Sequence, residues 1–217
     1  MIEVRAVGIT TPLLETIPDS EGIIAYCARV SNPKNQDNFE TANKLLEYCV
    51  KHNHWSVFET VNVVLEIKAP RDIARQILRH RSFSFQEFSQ RYAEANDFIL
   101  REARMQDTKN RQNSTASTDF TLNDLWTIRQ NKLLKQVQET YQWALEKGIA
   151  KECARVILPE GLTMSTMYMN GTVRSWMHYC DLRCANGTQL EHQIVAEQAR
   201  KVLTQLLPSV FKEDNND

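Results

Sequence analysis

The densest chemistry lies at 71–92, RDIARQILRHRSFSFQEFSQRY, where five arginines (71, 75, 79, 81, 91) meet only two acids, Asp72 and Glu87. Arg71, Arg75 and Arg79 fall at i, i+4 and i+8 and share one helix face. For Arg71 alone the ordinary reading is a solvated face. Arg79, His80 and Arg81 read differently, because they come in succession where the apolar pattern stops. Cationic and proton-bearing groups crowded at a helix end repel one another unless an anion or acceptor lies between them. Guanidinium groups take phosphate and carboxylate through paired hydrogen bonds, so a multiply phosphorylated small ligand fits. Ser82, Ser84, Gln86 and Glu87 then interleave with Phe83, Phe85 and Phe88, which suits a planar heterocycle with donors and acceptors on its edge.

Composition narrows the classes. The 217 residues are 42% hydrophobic and 24% charged, enough to bury one core without disulfide or metal staples. With 26 basic against 27 acidic residues, the balance argues against a non-specific nucleic-acid coat protein. The stretch 68–104 is locally positive, eight basic against five acidic, and the rest compensates. The six glycines (8, 22, 148, 161, 171, 187) are never closer than ten residues, which excludes G-x-G-x-x-G and P-loop phosphate cradles. Phosphates would therefore fall to side chains. MIEVRAVGIT lacks the apolar core of a signal peptide and no stretch approaches a membrane span, so a cytoplasmic protein without membrane partners is expected. Cys27, Cys49, Cys153, Cys180 and Cys184 are odd in number and scattered, and read as buried reduced thiols. Neither they nor His52-x-His54 complete a metal-ligand pattern, so no metal is expected.

Periodicity supplies the scaffold. Residues 2–7, 59–68 and 162–169 alternate as strands, the second with Val61, Val63, Leu65 and Ile67 on one face. Helices are expected at 21–30, 38–51, 70–80, 122–147, 149–158, 172–184 and 188–206. Pro70 suits a first turn, Thr121 with Asp124 a helix start, and Thr188-x-x-Glu191 a capping box. In 122–147 the helical spacing is carried by Leu125, Leu133, Val137, Tyr141 and Ala144. Met164, Met167 and Met169 read as core, and His192 as structural or surface. Residues 104–120 are polar and unpatterned, a loop long enough to be functional or disordered. The whole reads as α+β: one domain over 1–211, an antiparallel sheet with helices packed around it, and a disordered acidic tail at 212–217.

Arg79-His80-Arg81, seven residues, then Ser89 matches the R-H-R-x7-S signature of the flavin-dependent thymidylate synthases, and Glu87, Arg91 and Tyr92 follow its longer pattern. HNHWSVFE at 52–59 resembles the family's H-x-H-x-[ST]-x-x-E segment; ARVILP at 154–159 and TVRSWMHYCDLRCANGTQLE at 172–191 resemble its C-terminal half. The likeness runs in order from about residue 2 to 206. It implies conversion of dUMP to dTMP with methylenetetrahydrofolate as carbon donor, FAD as hydride carrier and NADPH as reductant, in a homotetramer whose sites are shared between subunits.

By position, the resemblance assigns Ser56, Glu59, Arg79, His80, Arg81, Glu87, Thr172, Arg174 and His178 to FAD, with His54 near flavin and folate. It assigns Gln76, Arg79, Gln86, Glu87, Phe88, Ser89, Gln90, Arg91, Arg155 and Arg183 to dUMP, and to Arg183 the task of favouring ionisation of the uracil ring. Gln86 and Thr172 stand where the family often has asparagine. No cysteine nucleophile is implied, and Ser89 is expected to bind substrate without covalent engagement. Trp55 either stacks on a ligand ring or packs, and His178 has a core alternative. The 104–120 loop is a candidate lid over the folate. The rival readings are a phosphatase, which would want a clustered acidic metal site, and a nucleic-acid module using the arginine stripe.

Overall fold

The computed structural model describes residues 1–212. The expected tail therefore falls at 213–217, outside the described residues, while Lys212, assigned to it, lies 3.3 Å from Glu47. Four antiparallel strands form the sheet, in order β1 (Glu3–Ile9), β2 (Asn62–Pro70), β6 (Met164–Thr172), β3 (Ser84–Glu87). A separate two-stranded hairpin pairs β4 (Arg104–Gln106) with β5 (Ser114–Ala116). The helices are α1 (Ser20–Ala28), α2 (Ala42–Lys51), α3 (Arg71–Ile77), α4 (Phe120–Glu146), α5 (Lys151–Ala154), α6 (Val173–Arg183) and α7 (Leu190–Leu206).

Alternation decides which side of the sheet is core. Val63, Leu65, Ile67 and Ala69 of β2, with Met167 and Met169 of β6, are buried against α3, α6 and α7, as the methionine reading expects. Fully burying one such side chain stabilises by about 1.5–3 kcal/mol. Trp176 of α6 sits at the centre, fully buried, and donates its indole N–H to the Val63 carbonyl at 3.0 Å. The opposite sheet face carries Arg5, Glu66 and Tyr168 in register, with Arg5 paired to Glu66 at 2.6 Å. Among the described residues no helix is long and apolar enough to cross a membrane.

The α+β reading holds, with local corrections. Strand β2 begins at Asn62 because 55–59 close a 3-10 turn, and strand β6 runs on to Thr172. Helix α3 ends at Ile77, α5 is four residues followed by a 3-10 turn at Arg155–Ile157, and the turn Phe39–Thr41 precedes α2. Residues 104–120 are no plain loop, since they hold the β4–β5 hairpin. Asp119, ahead of the expected Thr121, caps α4 by accepting from the Leu122 amide at 3.0 Å. The capping box at 188–191 does not form, because Glu191 is drawn to Arg101 and Arg104 instead. Leu125 and Leu133 point outward, and α4 buries Gln130, Leu134, Tyr141 and Ala144. Of the cysteines, Cys49 and Cys180 are buried but Cys153 is exposed on α5.

Candidate functional site

Two features of α3 set the arginine-rich segment. Its start is anchored by the Arg71 amide on the Thr163 carbonyl at 3.0 Å. Its exit runs through successive three-residue turns, Arg79 to Gln76, His80 to Ile77 and Phe83 to His80. The turns leave Arg79 and Arg81 exposed while His80 is half-buried and Phe83 is inside. Phe83 lies over Gly171 of β6, where a side chain would collide with its ring, and packs edge-on against Trp176 at 4.8 Å. That contact ties the segment after Arg81 to the sheet.

A cleft of about 640 Å³ opens at the N-terminus of α6, lined by Trp55, Glu59, Ser82, Thr172, Arg174 and His178, among others. Thr172 caps α6 by accepting from the Ser175 amide at 3.2 Å, which aims Arg174 and His178 from successive turns. Arg174 forms an ion pair with Glu59, and the Ser175 hydroxyl donates to the Ser82 carbonyl at 3.3 Å. Trp55 both lines the cleft and packs on the core, which bears out its packing reading. His178 is exposed, which removes the core alternative. Ser56 is exposed on the neighbouring 3-10 turn. His54 is exposed just after α2, where Asn53 takes a positive φ of 60°. The His54 amide returns to the Cys49 carbonyl at 2.9 Å and that of Asn53 to Val50 at 3.2 Å, a left-handed helix stop.

At the other end of α6, Arg183 donates from Nε to His80 Nε2 at 3.0 Å. His80 must accept there, so its proton sits on Nδ1. Burial, then the nearby Arg183 and His178, push its pKa down to about 4, leaving a neutral imidazole against a half-buried guanidinium. His192 is fully buried in the first turns of α7, the structural of its two readings, with Nδ1 3.2 Å from Gln76 and Nε2 3.2 Å from Tyr179. Sequence reasoning missed His192, Tyr179, Gln189 and Glu191 as one group, for which the only signal was a run of polar residues opening α7.

The remaining residues gather elsewhere. Glu87 accepts from the Ser165 hydroxyl at 2.9 Å and from Arg75 at 3.2 Å. Arg71, far from solvated, is only 7% exposed, 3.4 Å from Glu87 and 3.7 Å from Glu160, with its buried Nε and Nη1 in no hydrogen bond. Gln86 and Phe88 are exposed on alternate positions of β3 and its extension, where the Phe88 amide still pairs with Thr166 at 2.9 Å. Beyond them the Ser89 hydroxyl accepts from the Arg91 amide at 3.3 Å, Gln90 is buried, and Arg91 lies 3.2 Å from Glu152 of α5. Arg155 is half-buried on the turn after α5. The structure thus gathers Glu59, Thr172, Arg174 and His178 in one cleft and Gln76, His80 and Arg183 in one polar cluster. Ser89 and Arg91 lie past the other end of β3.

A profile of the family described as thymidylate synthase complementing protein matches residues 12–209. A probable flavin-dependent thymidylate synthase of Paramecium bursaria Chlorella virus 1 is 50% identical over 209 residues, covering 96% of each chain. The chain belongs to the flavin-dependent thymidylate synthase family. A flavin-dependent thymidylate synthase from Synechocystis is 49% identical over 212 residues, covering 96% of this chain and 97% of that one. Among solved structures, a UMP/dUMP methylase from Streptomyces cacaoi bound with 5-Br dUMP superposes with a TM-score of 0.81. It shares 27% identity and covers 98% of this chain and 93% of that one. Membership in the flavin-dependent thymidylate synthases agrees with the fold, and the R-H-R segment and the α6 cleft lie inside the matched range.

Proposed function

We propose that this protein methylates dUMP to dTMP as one catalytic domain over 1–211, taking the carbon from methylenetetrahydrofolate and the reducing electrons from NADPH through FAD. The observation that carries the reading is the half-buried Arg183 held by neutral His80 at the far end of α6, the helix whose N-terminal turns line the cleft. Building a methyl group on uracil C5 requires that carbon to become nucleophilic. A fixed guanidinium against the N3 and O2 edge stabilises the negative charge that delocalises into the ring. Among the described residues His80 occupies only Nε of Arg183, and being neutral it leaves the positive field intact. Among the described residues no carboxylate forms an ion pair with Arg183.

The cleft residues fit a flavin: Arg174, with the exposed Arg79 and Arg81 just before the cleft-lining Ser82, can meet phosphates, and Trp55 and His178 can meet a ring. When bound, FAD supplies the hydride from its N5, and the protein's part is orientation and electrostatics. Ser56, Glu59 and Thr172 complete that set, with His54 near the ring, while Gln76, Gln86, Glu87, Phe88, Ser89, Gln90, Arg91 and Arg155 serve dUMP. Ser89 binds dUMP without covalent engagement. No cysteine acts as nucleophile: Cys180, on the site helix, has its thiol pushed up to about 12 by burial.

The active unit is a homotetramer with shared sites. Ser84 to Phe88 rises about 13 Å along β3, so Ser89 and Arg91 stand off from Arg79 and His80 at opposite ends of that strand. Two ends of one nucleotide reached by residues so arranged favour donation from neighbouring subunits. Reliance on reduced nicotinamide puts the activity in the cytoplasm. The purified protein should be yellow, its flavin absorbance should bleach anaerobically on adding NADPH, and dUMP with methylenetetrahydrofolate should then yield dTMP. A colourless preparation that refuses FAD overturns the reading.

A further inference from the structure

Behind the substrate-facing residues runs a chain of side chains whose hydrogen bonds permit one polarity. Glu191 in the first turn of α7 faces Arg104 at 2.7 and 2.9 Å and Arg101 at 3.0 Å, which keeps it ionised. Burial opposes the charge, but the Arg104 hydrogen bond and the Arg101 charge prevail and hold the carboxyl below its ordinary range. A carboxylate only accepts, so Gln189 turns its amide nitrogen to Glu191 at 3.0 Å. Its oxygen is then left for Gln76, whose Nε2 donates to it at 2.7 Å. That turns Gln76 Oε1 toward His192 Nδ1, 3.2 Å away. An amide oxygen only accepts, so Nδ1 carries the proton and Nε2 must accept from the Tyr179 hydroxyl at 3.2 Å. His192 and Tyr179 are fully buried, so water is not available to satisfy a reversed arrangement. Burial, then Arg183 and His80, push His192 down to about 3, so it stays neutral and offers no second donor.

The charge of Glu191 therefore decides which way the Gln76 amide faces, four residues before His80 on the same helical path. With Oε1 held by His192 and one amide hydrogen given to Gln189, the second Nε2 hydrogen is the donor Gln76 retains. We propose that Glu191, acting through Gln189 and closed off by His192 and Tyr179, is a positioning residue that presents Gln76 as a hydrogen-bond donor to a pyrimidine carbonyl, so that the site selects a 4-oxo ring over a 4-amino ring. This rests on the placement of dUMP beside Gln76. A 4-amino group would meet that N–H donor to donor, leaving both unsatisfied.

The FAD-loaded protein and its Gln76→Ala, Glu191→Gln and doubly substituted variants are compared for dUMP and dCMP affinity and for KM and kcat. Glu191→Gln should weaken dUMP by about tenfold, mostly in KM, and narrow the gap to dCMP. In the Gln76→Ala background the same change should add less than about twofold. An undiminished effect in that background means Glu191 acts by general stability and overturns the relay. Unchanged dUMP affinity in Gln76→Ala overturns it too, while dTMP formation by the wild type keeps the proposed function standing. A wild type that neither binds dUMP nor makes dTMP ends both. A second measurement is independent of variant folding: in [15N]histidine-labelled wild type, His192 should show the Nδ1-protonated neutral tautomer throughout pH 6 to 8. Finding Nε2 protonated, or an imidazolium, overturns the chain's polarity.

Discussion

Two neutral histidines, His80 half-buried and His192 fully buried, link the candidate site to acid stability. His80 and His192 have folded pKa values pushed down to about 4 and about 3, against 6.5 when exposed. Above about pH 6.5 both are neutral whether the chain is folded or not, and they cost nothing. As pH falls from 6.5 toward 4 the unfolded chain takes up protons that the folded one refuses, so stability falls. The loss is on the order of 1–2 kcal/mol per histidine by pH 5. Thermal melts between pH 7 and 5 should show Tm dropping with acidity, and His80→Gln should flatten that slope. An equally steep slope in the variant would place the proton uptake elsewhere. The R-H-R triplet was legible in sequence as a candidate site. Its division of labour was not, because whether His80 turns in or out depends on the turns after α3 and on Arg183, about a hundred residues away.

Among the elements, β6 and its handover to α6 carry the most consequence. The bare surface of Gly171 receives the Phe83 ring, and Phe83 stands two residues beyond Arg81. Gly171→Ala forces that ring away from Trp176 and Tyr179, since overpacking a closed contact costs about 1–3 kcal/mol. A lower unfolding midpoint together with weakened FAD retention is expected. A midpoint unchanged within error would show that Phe83 relaxes without cost. Strand β2 and helix α6 were legible because their apolar periods match their burial. Strand β3 was read only as chemistry: Ser84 to Glu87 is short, polar on alternate residues, and becomes a strand through pairing with β6. The capping box at 188–191 failed for a related reason, since two arginines from another segment outcompeted a local amide for Glu191.

At the scale of the molecule, α4 is conspicuous. Its 27 residues span about 40 Å, yet Leu125, Trp126, Ile128 and Leu133 are 49%, 42%, 61% and 49% exposed. Apolar exposure spread along one long helix marks an interaction surface. The proposed tetramer accounts for it, and the exposed Arg91 past β3 needs the same explanation. Replacing Ile128 and Leu125 by Glu should yield smaller species in sedimentation velocity, with dTMP formation falling at least tenfold because incomplete sites result. A fully active monomer would refute shared sites. The sequence placed the helix correctly, and Val137, Tyr141 and Ala144 of its apolar face do pack inward, while Leu125 and Leu133 face outward, since spacing states that a face is apolar and not what covers it.

By itself the sequence determined the class of chemistry, the absence of glycine-rich phosphate loops, the α+β element types and the family likeness, because these rest on residue identity and local period. Tertiary structure decided what those residues do to one another. It buried Arg71 on Glu87, set Arg183 against a neutral His80, and strung Glu191, Gln189, Gln76, His192 and Tyr179 into one polarity. Burial and the direction of a hydrogen bond are properties of pairs brought together by the fold, and separations of a hundred residues leave no trace of them in the order of the chain.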